Sequence, residues 1–198
     1  MRETTVRSHA RFTASLILLL GILIGGECLS GSGVLAQLPQ HWQDDQGRDV
    51  SLSDFSGRRV YLTMAYASCR RICPMTMARL RELQHEADAS GIAAEFVIVG
   101  YDPTVDDPGT WQQYRRTRGL DRENWHFLSG TPASTEQFAR RLGFPFWKYE
   151  RHVMHEFRIV VVDEQGEIAA EYTTATAQSH DASPGSAPLP TKNADKVE

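Results

Sequence analysis

Two apolar runs restrict this chain more than anything else in it. Val60-Tyr61-Leu62-Thr63-Met64-Ala65-Tyr66 is almost continuously apolar and rich in β-branched and aromatic residues, and Ala94-Glu95-Phe96-Val97-Ile98-Val99-Gly100 repeats the pattern. A strand without polar alternation has to be covered on both faces, which places both runs in the middle of a sheet. Between them, residues 75–90 read as a helix. Met77, Leu80 and Leu83 recur there at helical spacing, Arg79, Arg81, Glu82 and Glu86 face outward, and Gly91 ends it. Further along, the pattern predicts a helix over about 109–118, a short strand over 125–128, and a helix started by Ser134 and closed by Gly143. Residues 157–162 and 168–172 flank the turn Asp163-Glu164-Gln165-Gly166 and make a hairpin. Strands alternating with helices predict an α/β fold: a central, mainly parallel sheet flanked by helices, with the C-terminal β-hairpin as an antiparallel edge.

The first apolar run leads straight into Cys69-Arg70-Arg71-Ile72-Cys73-Pro74. The carboxyl end of a central strand is where such a sheet gathers its reactive groups. A helix N-terminus favours anions, and Arg70 and Arg71 add positive charge, so both features favour the thiolate. A thiolate is the nucleophile of disulfide exchange and also a ligand for soft metals, so the position suits either chemistry. Three intervening residues leave room for two sulfurs around one ion while still letting them join. Pro74 suits the first helical turn, where its missing N–H is not needed.

Two sulfurs do not complete a metal site. His41, His85, His126, His152, His155 and His180 could add a third ligand, as could the thioethers of Met75 and Met77, although Met77 falls on the core face of its helix. His85 is on an exposed helix face, His180 is in the tail, and His126 alternates within a short strand. His152 and His155 precede the strand at 157. Three apart in extended chain, they point to opposite sides, so only one faces the cysteines; His155 abuts the strand and is preferred. A lone histidine more often packs or caps, and the paired cysteines lift His155 above that. Two sulfurs and an imidazole suit copper, as Cu(I) in trigonal geometry or Cu(II) with an added ligand, whereas a closed zinc site would want a fourth protein ligand. Tyr66, Trp125, Phe127 and Trp147 read as packing residues.

The N-terminus addresses the chain to export. Arg2, Arg7 and Arg11 precede an apolar run from Phe12 to about Ile24, shorter than the ~20 residues that span a bilayer comfortably. It reads as a signal-peptide core with Val34-Leu35-Ala36 as the cleavage site, an uncleaved membrane anchor being the competing reading. Glu27, where a small residue is needed, argues against lipidation of Cys28. The positive flank stays cytoplasmic, so the rest lies in the periplasm or on the outer face of the inner membrane. Residues 1–36 are therefore signal or anchor, 38–172 the folded domain, and 173–198, rich in Thr, Ala, Ser and Pro, a disordered tail. In an oxidising compartment an isolated cysteine pair defaults to a disulfide, but closing so short a loop stabilises little, which favours a reactive pair. A net charge of -4 supplies no basic footprint for nucleic acid.

The chain resembles the Sco/SenC family of copper chaperones, thioredoxin-like proteins that assist cytochrome c oxidase assembly. The resemblance runs over about 38–172. Its carriers are Asp45-Gln46-Gly47, the run Ser51-Leu52-Ser53-Asp54-Phe55-Ser56-Gly57, Ala67-Ser68 with the cysteine motif, Tyr101-Asp102-Pro103-Thr104-Val105-Asp106-Asp107-Pro108, Trp125-His126-Phe127-Leu128-Ser129-Gly130-Thr131-Pro132, and His155 ahead of Val162-Asp163-Glu164-Gln165-Gly166. Val105-Asp106-Asp107 stands where the family usually carries Arg-Asp-Thr, and Glu156 where it often has a small residue. The resemblance implies that Cys69, Cys73 and His155 bind copper and that the cysteines cycle between thiols and a disulfide. Its implied partners are an apo cuproenzyme, such as a cytochrome c oxidase subunit, and a thiol-disulfide reductant, with membrane tethering through the N-terminus. The alternative role is a thiol-disulfide oxidoreductase that keeps target cysteines reduced.

Overall fold

The computed structural model describes residues 33–70, 72–150, 152–174 and 176; the signal or anchor expected at the N-terminus, up to residue 32, and nearly all of the expected tail lie outside the described residues. A short helix α1 (Val34–Gln37) leads into β1 (Trp42–Asp44), β2 (Asp49–Val50) and a 3-10 turn (Leu52–Phe55). The two apolar runs become β3 (Arg59–Ala65) and β4 (Ala94–Gly100), joined by α2 (Ile72–Ala89). Then come α3 (Pro108–Arg118), β5 (Trp125–Ser129), α4 (Pro132–Leu142), β6 (Phe146–Tyr149), β7 (His152–His155), β8 (Arg158–Val162) and β9 (Ile168–Thr173).

One sheet in the order β2-β1-β5-β4-β3-β8-β9 holds seven of the strands. Its centre is parallel, β5 against β4 and β4 against β3, as the two buried runs require. Both edges are antiparallel: the expected β8–β9 hairpin on one side, and on the other β1 paired with β5 and β2. In-register neighbours stack across the centre. The Tyr61 ring lies 4.8 Å from that of Phe96, and Phe96 5.2 Å from Trp125, stacked with near-parallel planes. Gln84 of α2 accepts from Trp125 Nε1 (2.9 Å) and Asn124 Nδ2 (2.8 Å), fastening helix to sheet. The buried face of α2 carries Met77, Leu80 and Leu83, as their spacing predicts.

The helix ends follow capping chemistry. Asp107 caps α3 by accepting from Thr110 N–H at 2.7 Å, with Pro108 in the first turn and Gly119 left-handed beyond its end. For α4 the start differs from expectation: Thr131 is the cap, and Ser134 sits three residues on, returning its hydroxyl to Thr131 N–H at 2.8 Å. Ser134 thus completes a capping box that Thr131 opens. Gly130 just before it admits no side chain, because a Cβ there would run into the Trp42 ring and Ser134 Oγ.

At the chain's entry, Val34 N–H donates to Gly166 O (2.8 Å), and Leu35 and Leu38 are buried in the core. Gln40 Nε2 donates to the carbonyls of both leucines. The packed chain therefore includes residues that the sequence assigns to the export segment. Among the described residues no helix is long and apolar enough to cross a membrane.

Candidate metal centre

The site forms where β3 ends. Tyr101 N–H, just past β4, donates to Ala65 O (2.9 Å), and Cys69 N–H turns back to Tyr66 O (2.8 Å), so the cysteine loop folds over the parallel pair. The helix starts earlier than expected, at Ile72, which puts Cys73 and Pro74 inside its first turn. There Cys73 faces inward, fully buried, while Cys69 stays half-buried in the loop. Cys73 N–H points at Cys69 Sγ (3.5 Å), and Tyr66 N–H donates to Cys73 Sγ (3.3 Å).

The third corner comes from a hairpin that the sequence pattern did not predict. β6 and β7 pair as a separate antiparallel hairpin, placing Phe146 opposite His155 and Lys148 opposite Val153. Lys148 Nζ reaches Asp102 Oδ2 (3.1 Å), Phe146 packs on Tyr101, and the Tyr101 ring lies 4.6 Å from that of His155. These contacts hold the hairpin against the carboxyl ends of β3 and β4. His155 is buried with Nδ1 beside Glu156 O (3.2 Å) and Nε2 3.6 Å from Cys73 Sγ. An Nδ1–H donated to that carbonyl leaves the Nε2 lone pair facing the sulfurs. The ligand atoms of Cys69, Cys73 and His155 all lie within 4.8 Å of one another.

None of the other candidates joins them. His41 and His85 are exposed; His126 bonds Glu95 Oε2 at 2.7 Å; His152 points out from the hairpin; His180 lies outside the described residues. Met77 is core and Met75 is exposed. Tyr66, Trp125 and Phe127 pack as expected, but Trp147 does not: it is exposed, because alternation along β6 turns it away from the side that Phe146 buries.

The electrostatics correct one expectation. Cys73 is not favoured as a thiolate: its hydrogen bond with Cys69 and then its burial push the thiol well above the ordinary range, against a smaller opposite pull from Tyr66 N–H. The helix N-terminus and neighbouring arginines do not prevail, because the sulfur sits in the core, where charge is costly. An incoming cation has to displace that proton.

A residue not singled out by the sequence supports the loop. Asp106 is fully buried and accepts from Ala67 N–H with Oδ1 (2.9 Å) and from Asp102 N–H with Oδ2 (2.8 Å), tying the Asp-Pro loop to the cysteine loop. Burial pushes its carboxyl up to about 6 despite those bonds. Its signal was an acid in a loop that also carries the resemblance, but burial is not visible in one sequence. Two sulfurs and one imidazole nitrogen, one sulfur half-open to solvent, can hold a soft cation or exchange a disulfide.

The sequence profile described as SCO1/SenC matches residues 37–183. The SCO1 protein homolog of Bacillus subtilis (strain 168) is 26% identical over 164 residues, covering 81% of this chain and 85% of the relative. Among solved structures, a SCO1/SenC family lipoprotein from Bacillus anthracis str. Ames superposes with TM-score 0.63 and 21% identity, covering 69% of this chain and 83% of that one. Arabidopsis thaliana ScoI with copper bound gives TM-score 0.61 and 18% identity over 72% of this chain and 94% of that one. With a family match over most of its length and the expected thioredoxin-like arrangement, the chain belongs to the SCO1/SenC family.

Proposed function

We propose that the chain is an exported copper metallochaperone that holds copper through Cys69, Cys73 and His155. It passes the ion to an apo cuproenzyme, the binuclear copper site of cytochrome c oxidase being the acceptor. The carrying observation is the convergence of the three ligand atoms within 4.8 Å. The chemistry fits: two sulfurs and an imidazole select copper over harder ions, and three protein ligands leave a position open for exchange. Half-buried Cys69 is the rim of the site, with Cys73 and His155 beneath it, so an acceptor ligand approaches beside Cys69. Membership of the SCO1/SenC family and the copper in the Arabidopsis structure support the reading.

Export rests on the N-terminal signal features, with residues 1–36 as signal or anchor, 38–172 as the domain and 173–198 as a tail. The lipoprotein among the relatives agrees with an exported protein. Leu35 packing in the core favours retention of the chain from Gly33 onward, through an uncleaved anchor or a cut further upstream. The thiol-disulfide oxidoreductase remains the second reading, favoured by one contact, Cys73 N–H at 3.5 Å from Cys69 Sγ, which keeps the sulfurs within reach of each other.

The test loads reduced chain anaerobically with Cu(I) against a strong chelator. Wild type is expected to retain one copper, and His155→Ala to lose at least about tenfold in affinity, since even outer-shell partners contribute that much. His152→Ala keeps wild-type affinity. Equal affinity in all three would remove histidine from the site and favour the oxidoreductase.

A further inference from the structure

The outward face of the β6–β7 hairpin carries a second set of soft groups. Trp147 is paired with Met154 and Tyr149 with His152. The buried residues Val153 and His155 alternate with them, so Trp147, Tyr149, His152 and Met154 share one face, turned away from the Cys69–Cys73–His155 site. All four are exposed: Trp147 by 55%, Tyr149 by 62%, Met154 by 43%, and His152 openly. Five large hydrophobic side chains are exposed among the described residues, and three of them sit here. Such concentration marks an interaction site rather than random surface.

We propose that this face is a separate, shallow site for a soft monovalent cation, Cu(I) or Ag(I), ligated by Met154 Sδ and a His152 ring nitrogen and capped by the Trp147 indole. Side chains directly opposite on an antiparallel pair have Cβ atoms about 5 Å apart, and alternate residues of one strand are about 7 Å apart. The thioether of Met154, on three rotatable bonds, and the His152 imidazole can therefore meet on one ion. Trp147, directly across from Met154, lies beside that ion and can offer its π face. A thioether with an imidazole selects a soft ion over Zn(II) or Mg(II). The one basic residue of β6, Lys148, points the other way and is paired with Asp102, so it does not repel a cation here. The ion would bind one residue from His155 in sequence, on the opposite side of the same strand, and would raise the local supply of Cu(I) around the buried site. The assignment does not rest on the copper reading of the cysteines.

The experiment uses the full chain with Cys28→Ser, Cys69→Ser and Cys73→Ser, titrated with Ag(I) under anaerobic conditions. Of the four tryptophans, Trp42, Trp111 and Trp125 are buried, so red-shifted emission reports Trp147 alone. The expected result is saturable quenching of that emission at a stoichiometry of one ion, weakened at least about tenfold by Met154→Leu and by His152→Ala. Zn(II) leaves it unchanged. No saturable quenching up to millimolar Ag(I), or equal quenching in both variants, would overturn the proposal. If the thiol-free chain has lost its near-ultraviolet dichroism, cysteine-intact chains are loaded with Cu(I) against a weak competitor. Wild type then holds one more copper than Met154→Leu, and equal stoichiometry refutes the site. Failure here leaves the strong-chelator result at Cys69, Cys73 and His155 unaffected, so the two readings fail separately.

Discussion

Replacing Asp106 by asparagine should change how stability depends on pH, and the size of the change follows from where the carboxylate sits. Asp106 is fully buried, and burial raises its carboxyl from the ordinary 3.8 to about 6 although two backbone N–H groups donate to it. A folded-state value above the unfolded one means that the folded chain holds the proton more tightly. The contribution to stability is then full below about pH 4, is lost as pH rises from about 4 to 6, and is flat above. The span of about 2 units corresponds to roughly 3 kcal/mol. In Asp106→Asn the group no longer titrates, and a single amide oxygen can accept only in part for the two N–H donors, at a cost of about 1–3 kcal/mol at every pH. Wild type should therefore lead the variant near pH 4, and at about pH 7.5 the lead should vanish or reverse. Urea denaturation of both chains at steps across that interval measures the difference. Groups remote from Asp106 cancel in the subtraction, while Asp102, whose charge adds to the shift, is part of the measured difference. A difference constant to within about 0.5 kcal/mol from pH 4 to 7.5 would refute the idea that burial dominates this carboxylate.

Other outcomes can be checked alongside it. Leu35→Ala should cost about 2–4 kcal/mol in urea denaturation because Leu35 is a core residue; a loss well under 1 kcal/mol would mean that the entry segment is not part of the stable domain. Arg115 Nη1 contacts both oxygens of Asp45 at 2.8 Å, in a largely buried pair, so Arg115→Ala should cost about 3 kcal/mol, with part of it recovered when Asp45→Ala is added. Because the Cys73 thiol is held protonated, Cu(I) loading has to release at least its proton, and affinity should rise by at least about tenfold per pH unit between pH 6 and 8. A pH-independent affinity in a competition titration would contradict that.

Much of the site was legible in sequence because it is built from local events. A buried strand ending in a cysteine pair and a helix needs only adjacency, and alternation between His152 and His155 needs only extended backbone, so Cys69, Cys73 and the choice of His155 could be read from 198 letters. The orientation of Trp147 could not, because nothing between Gly143 and Glu156 signalled that a second sheet would form there. Once β6 pairs with β7, alternation sends Phe146 and His155 inward and Trp147 and Met154 out.

The sequence by itself determined the order of elements from β3 to α4 and the β8–β9 hairpin, the parallel centre of the sheet and the reactive pair at its carboxyl end, since hydrophobic periodicity and capping act within a few residues of one another. Tertiary structure alone decided the protonation of Cys73, the burial of Asp106 under the cysteine loop and the approach of a histidine 82 positions away. Those properties depend on how much water and which neighbours surround a group, and these are set only when distant segments pack.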